Sequence, residues 1–167
     1  MTIAEHLRMK TLPRGFTLME LLAVLAIIAI LALMAIPSYM DRIVRQQIEA
    51  ALPLADIAKK PVADAWAQLQ SLPADNAAAA LPAAEKIVNN QISSLFIEDG
   101  AIQITFGNRV NKAVFGKILT LRPAVVADAP VVPVAWVCGN AQGPEKMTVI
   151  GVNRTNVPNT FLPLACR

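Results

Sequence analysis

The sequence predicts an α+β fold: a long N-terminal helix packed on an antiparallel sheet of about four strands, followed by a C-terminal loop bounded by two cysteines. Three observations carry that expectation. From Phe16 to Ile36 the chain is apolar but for Thr17 and Glu20, in the second half short runs take a hydrophobic period of two, and Cys138 and Cys166 both fall in the last third. A chain of 167 residues suits one modest globular domain plus one extended element.

The apolar run comes first. At about 1.5 Å rise per residue it is long enough to cross a hydrocarbon core of roughly 30 Å, so a membrane-passing helix is expected, with a buried core helix as the competing reading. The composition, 55% hydrophobic and 16% charged, is more apolar than that of an ordinary soluble domain. The formal charge of +3 belongs mainly to the tail, because Met1 to Gly15 holds Arg8, Lys10 and Arg14 against Glu5 alone; about +1 is left for the rest. The tail also holds the only histidine, His6. Positive charge ahead of an apolar span marks the cytoplasmic side. Everything after Pro37 is then expected across the membrane, where two cysteines such as Cys138 and Cys166 tend to pair.

A secretory signal peptide would place small residues two apart before a cut that follows the run. Ala23, Ala26, Ala29, Ala32 and Ala35 are three apart, so no such site exists. Glu20 is the anomaly, because a carboxylate at bilayer depth costs several kcal/mol unless it is paired or protonated.

The junction Pro13-Arg14-Gly15-Phe16-Thr17-Leu18-Met19-Glu20, the apolar helix after it, and Pro37 and Tyr39 at its end resemble the type IV prepilins. The resemblance implies a leader, residues 1–15, cut after Gly15 by a prepilin peptidase and methyltransferase, with Phe16 as the N-methylated new N-terminus. It implies a transmembrane and assembly helix over 16–37, an amphipathic continuation over 38–72, and a globular head over 73–167 with a disulfide region over 138–166. The freed amine of Phe16 would put a positive charge at membrane depth, with Glu20 about one helical turn further on. In a stagger of subunits Glu20 reaches a neighbour's amine, and two costly charges neutralise each other in a low dielectric. Other offsets leave both unpaired, which fixes register. The competing reading is a protonated glutamate with only a local bond in a single-pass anchor. The alanines at threefold spacing drift round the helix as a slow spiral of small side chains, which permits close approach by several neighbours. Pro37 is expected to kink the helix in a membrane, and the resemblance implies a locally melted segment there in a filament.

Beyond Pro37, Asp41, Arg42, Arg45 and Glu49 read as a solvated helical face, with Asp41 and Arg45 at i,i+4. Pro53 and Pro61 are expected to interrupt the helix. Val62, Trp66 and Leu69, with Ala65 beside them, form a stripe that should pack on a sheet, with Trp66 in the core. The alanine-rich stretch after Leu72 reads as a loop with an Asp75-Asn76 turn, then a short helix from about Ala83 to Ser93. The runs GAIQITF, GKILTLRP, VPVAWVC and KMTVIGV read as strands joined by short turns, an antiparallel meander. A Cys138–Cys166 bridge would close a loop of roughly 27 residues and stabilise by about 3 kcal/mol in the chain-entropy model. FLPLAC and Arg167, with Trp136-Val137-Cys138 before them, resemble the cysteine-bounded C-terminus of type IVa pilins.

Enzymatic chemistry is not expected. Without the leader no histidine remains for Ser-His or Cys-His pairs, two cysteines make a poor zinc site, and no phosphate-binding glycine loop is present. No cofactor and no metal are therefore expected, although Glu98-Asp99 beside a turn could bind calcium, as in major pseudopilins; solvated carboxylates are the plainer reading. Asn153-Arg154-Thr155 matches a glycosylation sequon and reads as an ordinary turn.

The resemblance implies a structural subunit of a type IV pilus, for adhesion, twitching motility or DNA uptake. It would be anchored in the inner membrane with its C-terminus periplasmic, then polymerised into an extracellular fimbrium by an assembly platform and separate motor proteins. Two alternatives stand beside it. One is a minor pilin or type II secretion pseudopilin that primes or tips a short fibre. The other is a DNA-binding competence pilin, which requires the fold to gather Arg109, Lys112, Lys117, Arg122, Lys146 and Arg154 into one basic patch.

Overall fold

A computed structural model of the protein describes residues 15–167, except for the side chains of residues 35–38. All of the leader read over 1–15 except Gly15 therefore lies outside the described residues, as do the side chains of Ala35 and Pro37. The chain divides into two units, Met1–Ser38 and Tyr39–Arg167.

Helix α1 spans Leu18–Ala51. In the first unit it is the apolar run, and every residue from Gly15 to Met34 is exposed. The backbone is helical across Pro37, so the expected kink is not an interruption of the helix.

In the second unit the helical chain continues from the later part of α1 through a 3₁₀ turn, Leu52–Ala55, into α2, Asp56–Leu69. Of the two expected breaks, Pro53 does sit in the 3₁₀ turn, whereas Pro61 lies inside α2 without ending it. Tertiary packing decides this: Val44, Ile48, Ala51, Ala55, Ala58 and Val62 form a buried stripe with spacings of four and three, and all but Val44, at 2%, are fully buried. Burial of that face outweighs one missing helical hydrogen bond. The stripe runs out sooner than expected, since Trp66 is only half-buried and Leu69 is 72% exposed. The indole Nε1 of Trp66 is buried and has no partner among the described residues.

The sheet has five strands among the described residues: β1 (Ile92–Glu98), β2 (Ala101–Phe106), β3 (Ile118–Val125), β4 (Ala135–Cys138) and β5 (Thr148–Val149). Strands β1 to β4 form an antiparallel meander in chain order, and the short β5 pairs with the far part of β3. Ile97, Ile102 and Leu121 align across three strands, as do Leu95, Ile104 and Leu119. These residues, with Phe106, join the buried stripe of α1 and α2 in one core.

The expected helix from Ala83 to Ser93 is a single 3₁₀ turn, Ala84–Lys86, and β1 begins at its end. Residues Glu98 to Ala101 explain why. Asp99 and Gly100 both have positive φ, 48° and 81°, the two-residue hairpin turn that an Asp-Gly pair favours. That hairpin needs an antiparallel partner for β2, and Ile92–Glu98 supplies it. The outer edge of β1 is covered rather than open. Asn76 accepts a hydrogen bond from the Ile97 amide and donates to the Leu95 carbonyl, standing in for a neighbouring strand.

Candidate functional site: an exposed apolar helix and a tethered head

The first turn of α1 contains a feature that the sequence reading missed. The Glu20 amide donates to Thr17 Oγ1 at 3.2 Å, and the Thr17 amide faces Glu20 Oε2 at 3.4 Å. This is a capping box: two amides with no intrahelical partner are satisfied reciprocally by a Thr and the Glu three residues later. The signal lay in the spacing Thr-Leu-Met-Glu, so the two polar breaks in the apolar run are one local device. Among the described residues no cation faces the Glu20 carboxylate. Its neighbours along the chain, Phe16, Leu18, Met19, Leu21 and Leu22, are exposed apolar side chains. Among the described residues, and apart from its chain neighbours, a Cβ at Gly15 would meet nothing within 4 Å. Ala23, Ala26, Ala29 and Ala32 are all exposed, so the spiral of small residues is open to neighbours.

In the second unit the C-terminal segment is bound to the rest of the head in four ways. Cys138 and Cys166 form a disulfide spanning 28 positions. Arg45 donates to the Thr160 carbonyl at 2.8 Å, so it holds the C-terminal region rather than pairing with Asp41 on a solvated face. On the sheet face away from the core, Gln103 and Thr120 are completely buried beneath residues 152–155. There Thr120 Oγ1 donates to Gln103 Oε1, Gln103 Nε2 donates to the Val152 carbonyl, and the Arg154 amide donates back to Thr120 Oγ1. Finally, the Arg154 guanidinium grips both carboxylate oxygens of Glu98. The hydrogen bond from Arg154 holds the Glu98 carboxyl below its ordinary range, with Coulomb attraction adding to it.

These contacts settle several sequence expectations. The carboxylate of Glu98 is committed to Arg154, which leaves Asp99 as the only uncommitted half of the pair considered for calcium. Asn153 of the sequon donates to the Gly139 carbonyl and to Asn140 Oδ1, so its amide fastens the loop beside the disulfide. Of the six cations needed for one basic patch, Arg154 is paired and Arg122 donates to the Gly139 carbonyl. Lys146 lies in the β4–β5 connection, while Arg109, Lys112 and Lys117 share the β2–β3 loop. The fold does not gather all six.

Comparison with known proteins agrees with this architecture. Residues 44–167 match the family model described as Pilin (bacterial filament), and residues 12–36 match the prokaryotic N-terminal methylation motif. The chain is 32% identical over 165 residues to the type IV major pilin protein PilE of Neisseria gonorrhoeae, covering 95% of this chain and 96% of that protein. It is 33% identical over 132 residues to a fimbrial protein of Neisseria meningitidis serogroup A, covering 78% of this chain and 75% of the relative. To the fimbrial protein EcpC of Eikenella corrodens it is 34% identical over 117 residues, 68% of this chain and 76% of the relative. With an exposed apolar helix at one end and a disulfide-closed head at the other, the chain belongs to the pilin family of bacterial filament subunits, and its role is structural rather than enzymatic.

Proposed function

We propose that this chain is the main repeating subunit of a type IV pilus and that Glu20 sets its assembly register. The observation that carries the reading is the apolar segment from Phe16 to Met34, helical from Leu18, exposed throughout and bearing one carboxylate. Such a surface is at home in lipid or against copies of itself. A prepilin peptidase cuts after Gly15 and methylates Phe16. The new amine and Glu20 are both costly at membrane depth, and each subunit can supply only a local partner for its own. In the filament Glu20 of one subunit neutralises the Phe16 amine of the next, while the alanine spiral allows the helices to approach. Before assembly the chain is a single-pass inner-membrane protein with its head in the periplasm. An assembly platform and separate motors add it to the fibre and withdraw it. Pro37 marks the place where neighbours hold the helix locally melted.

The test is Glu20→Ala. Processing and membrane insertion should be retained while incorporation into sheared surface filaments falls at least tenfold; unchanged piliation would remove the pairing from the account.

A further inference from the structure

Between the end of α2 and the start of β1 the chain passes along the outer edge of β1 and bounds a cavity of about 430 Å³, a volume within the range of small-molecule sites. Hydrogen bonds fix its frame. The Asp99 and Gly100 amides donate to the carbonyls of Ala74 and Pro73, the Leu81 amide closes a turn on the Asn76 carbonyl at 2.8 Å, and Asn76 Nδ2 donates to the Pro82 carbonyl at 3.0 Å. Leu81, Ala83, Ala84 and Phe96 make the walls mainly apolar. Two acceptors line the same space with capacity to spare. The exposed carboxylate of Asp75 uses Oδ1 to accept the Ala78 amide at 2.8 Å, while Oδ2 has no partner among the described residues. Ile97 turns its amide and carbonyl away from β2, because the amide donates to Asn76 Oδ1 and the two groups of one residue share a side in an antiparallel ladder. That carbonyl accepts no hydrogen bond among the described residues. The surroundings are acidic. From Pro61 to Asn108 the chain carries Asp64, Asp75, Glu85, Glu98 and Asp99 against Lys86 alone. Asp64 and Glu98 are committed to Lys60 and Arg154, and no cation lines the cavity.

We propose that this cavity is a binding site for a small organic cation: a primary ammonium on an aromatic or aliphatic body, the ammonium on Asp75 Oδ2 and the Ile97 carbonyl, the body against Leu81, Ala83 and Phe96. An ammonium has three donors and no acceptor, which suits two open acceptors with no donor beside them. Its charge-assisted bond to Asp75 is the stronger of the two. An anion would meet the Asp75 carboxylate with like charge and find no cation to hold it. A neutral apolar molecule would fit the walls and leave both acceptors unused. Because the frame is tied beforehand, binding orders the ligand and few side chains. Every residue of the site belongs to the second unit, so the proposal stands apart from the assembly reading.

The experiment measures tryptamine binding by ligand-observed NMR to the processed full chain in nonionic detergent and to sheared filaments, with detergent alone as the blank. Two analogues are compared: 3-ethylindole, which keeps the shape without the charge, and indole-3-propionate, which reverses the charge. Saturable binding of tryptamine with a Kd of order 1 mM is expected for so small a ligand. It should be about tenfold tighter than that of 3-ethylindole, with no capture of indole-3-propionate. Asp75→Asn keeps an acceptor for the Ala78 amide and removes the charge. It should weaken tryptamine about tenfold and leave 3-ethylindole within about twofold, a split that a misfolded chain would not show. Ala83→Phe, at an exposed position on the cavity wall, should abolish binding of both by filling the space. Glu49→Gln, at an exposed carboxylate on α1, is the control and should change nothing. Each variant must keep its disulfide, so loss of binding is read only on folded protein. Undiminished tryptamine binding by Asp75→Asn or by Ala83→Phe overturns the proposal, as does equal capture of indole-3-propionate. Binding in detergent that disappears in filaments also overturns it, by giving the cavity to a neighbouring copy.

Discussion

Thr17 and Glu20 answer each other across the first turn of α1, with the Glu20 carboxylate directed at the Thr17 amide. On the proposed reading the same oxygens serve a neighbour's amine in the filament. A long contact of 3.4 Å is easily given up. Thr17→Ala should therefore destabilise the helix start by about 1 kcal/mol while leaving filament assembly largely intact, checked by comparing pilus yield with that of Glu20→Ala. Gly15 separates recognition from folding in the same way. Because a Cβ there would meet nothing within 4 Å among the described residues, Gly15→Ser should leave the fold untouched and accumulate precursor, seen as a slower-migrating band in the membrane fraction. Glu98 gives the pH dependence. Its carboxyl is held below the usual range by Arg154, so its contribution is present above the ordinary carboxylate pKa and is lost as pH falls through the lowered one. Acidification from about pH 7 to about pH 3 should loosen the C-terminal segment, and Glu98→Gln should show a smaller fall in thermal stability over that range than the unaltered protein.

At the level of elements, the buried stripe of α1 and α2 joins the helices to the sheet. Ile48→Ala removes a fully buried side chain from the core it shares with Ile102 and Ile104 and should cost roughly 2–4 kcal/mol in denaturant unfolding. Asn76→Ala leaves the Ile97 amide and the Leu95 carbonyl unpaired at the edge of β1 and should cost about 1–3 kcal/mol, with an increased tendency to edge-to-edge association. The apolar helix was legible in the sequence because an unbroken run needs no partner to be recognised. So was the meander, since the runs at β2, β3 and β4 repeat at period two. Strand β1 was not legible from its own residues. AAEKIVNNQISSL has a helical composition, and only the Asp99-Gly100 turn and the cover supplied by Asn76 make it a strand. Pro61 misled for the opposite reason, because a local breaker was overruled by the burial of Ala58 and Val62 on either side of it. The capping box was present as Thr17 and Glu20 at the right spacing; a local bond for Glu20 was one of the readings, but Thr17 was not named as its partner.

Across the whole molecule, two different kinds of closure serve one purpose. The head is closed on itself by the disulfide, the Glu98–Arg154 pair and the buried Gln103–Thr120 network, so it can stand outside the membrane without help. Residues 15–34 of the first unit are the reverse, an apolar surface that no described residue covers. Replacing Cys138 and Cys166 together by serine should cost the head about 3 kcal/mol and lower pilus yield through stability rather than register, so that unincorporated protein is degraded instead of accumulating in the membrane. Polymerisation, in this account, follows from a charge that exists only once the leader is gone. Mass spectrometry of the chain taken from assembled filaments tests that most directly. The account predicts a mature N-terminus at Phe16 carrying one methyl group; filaments built from chains that still begin at Met1 would contradict it.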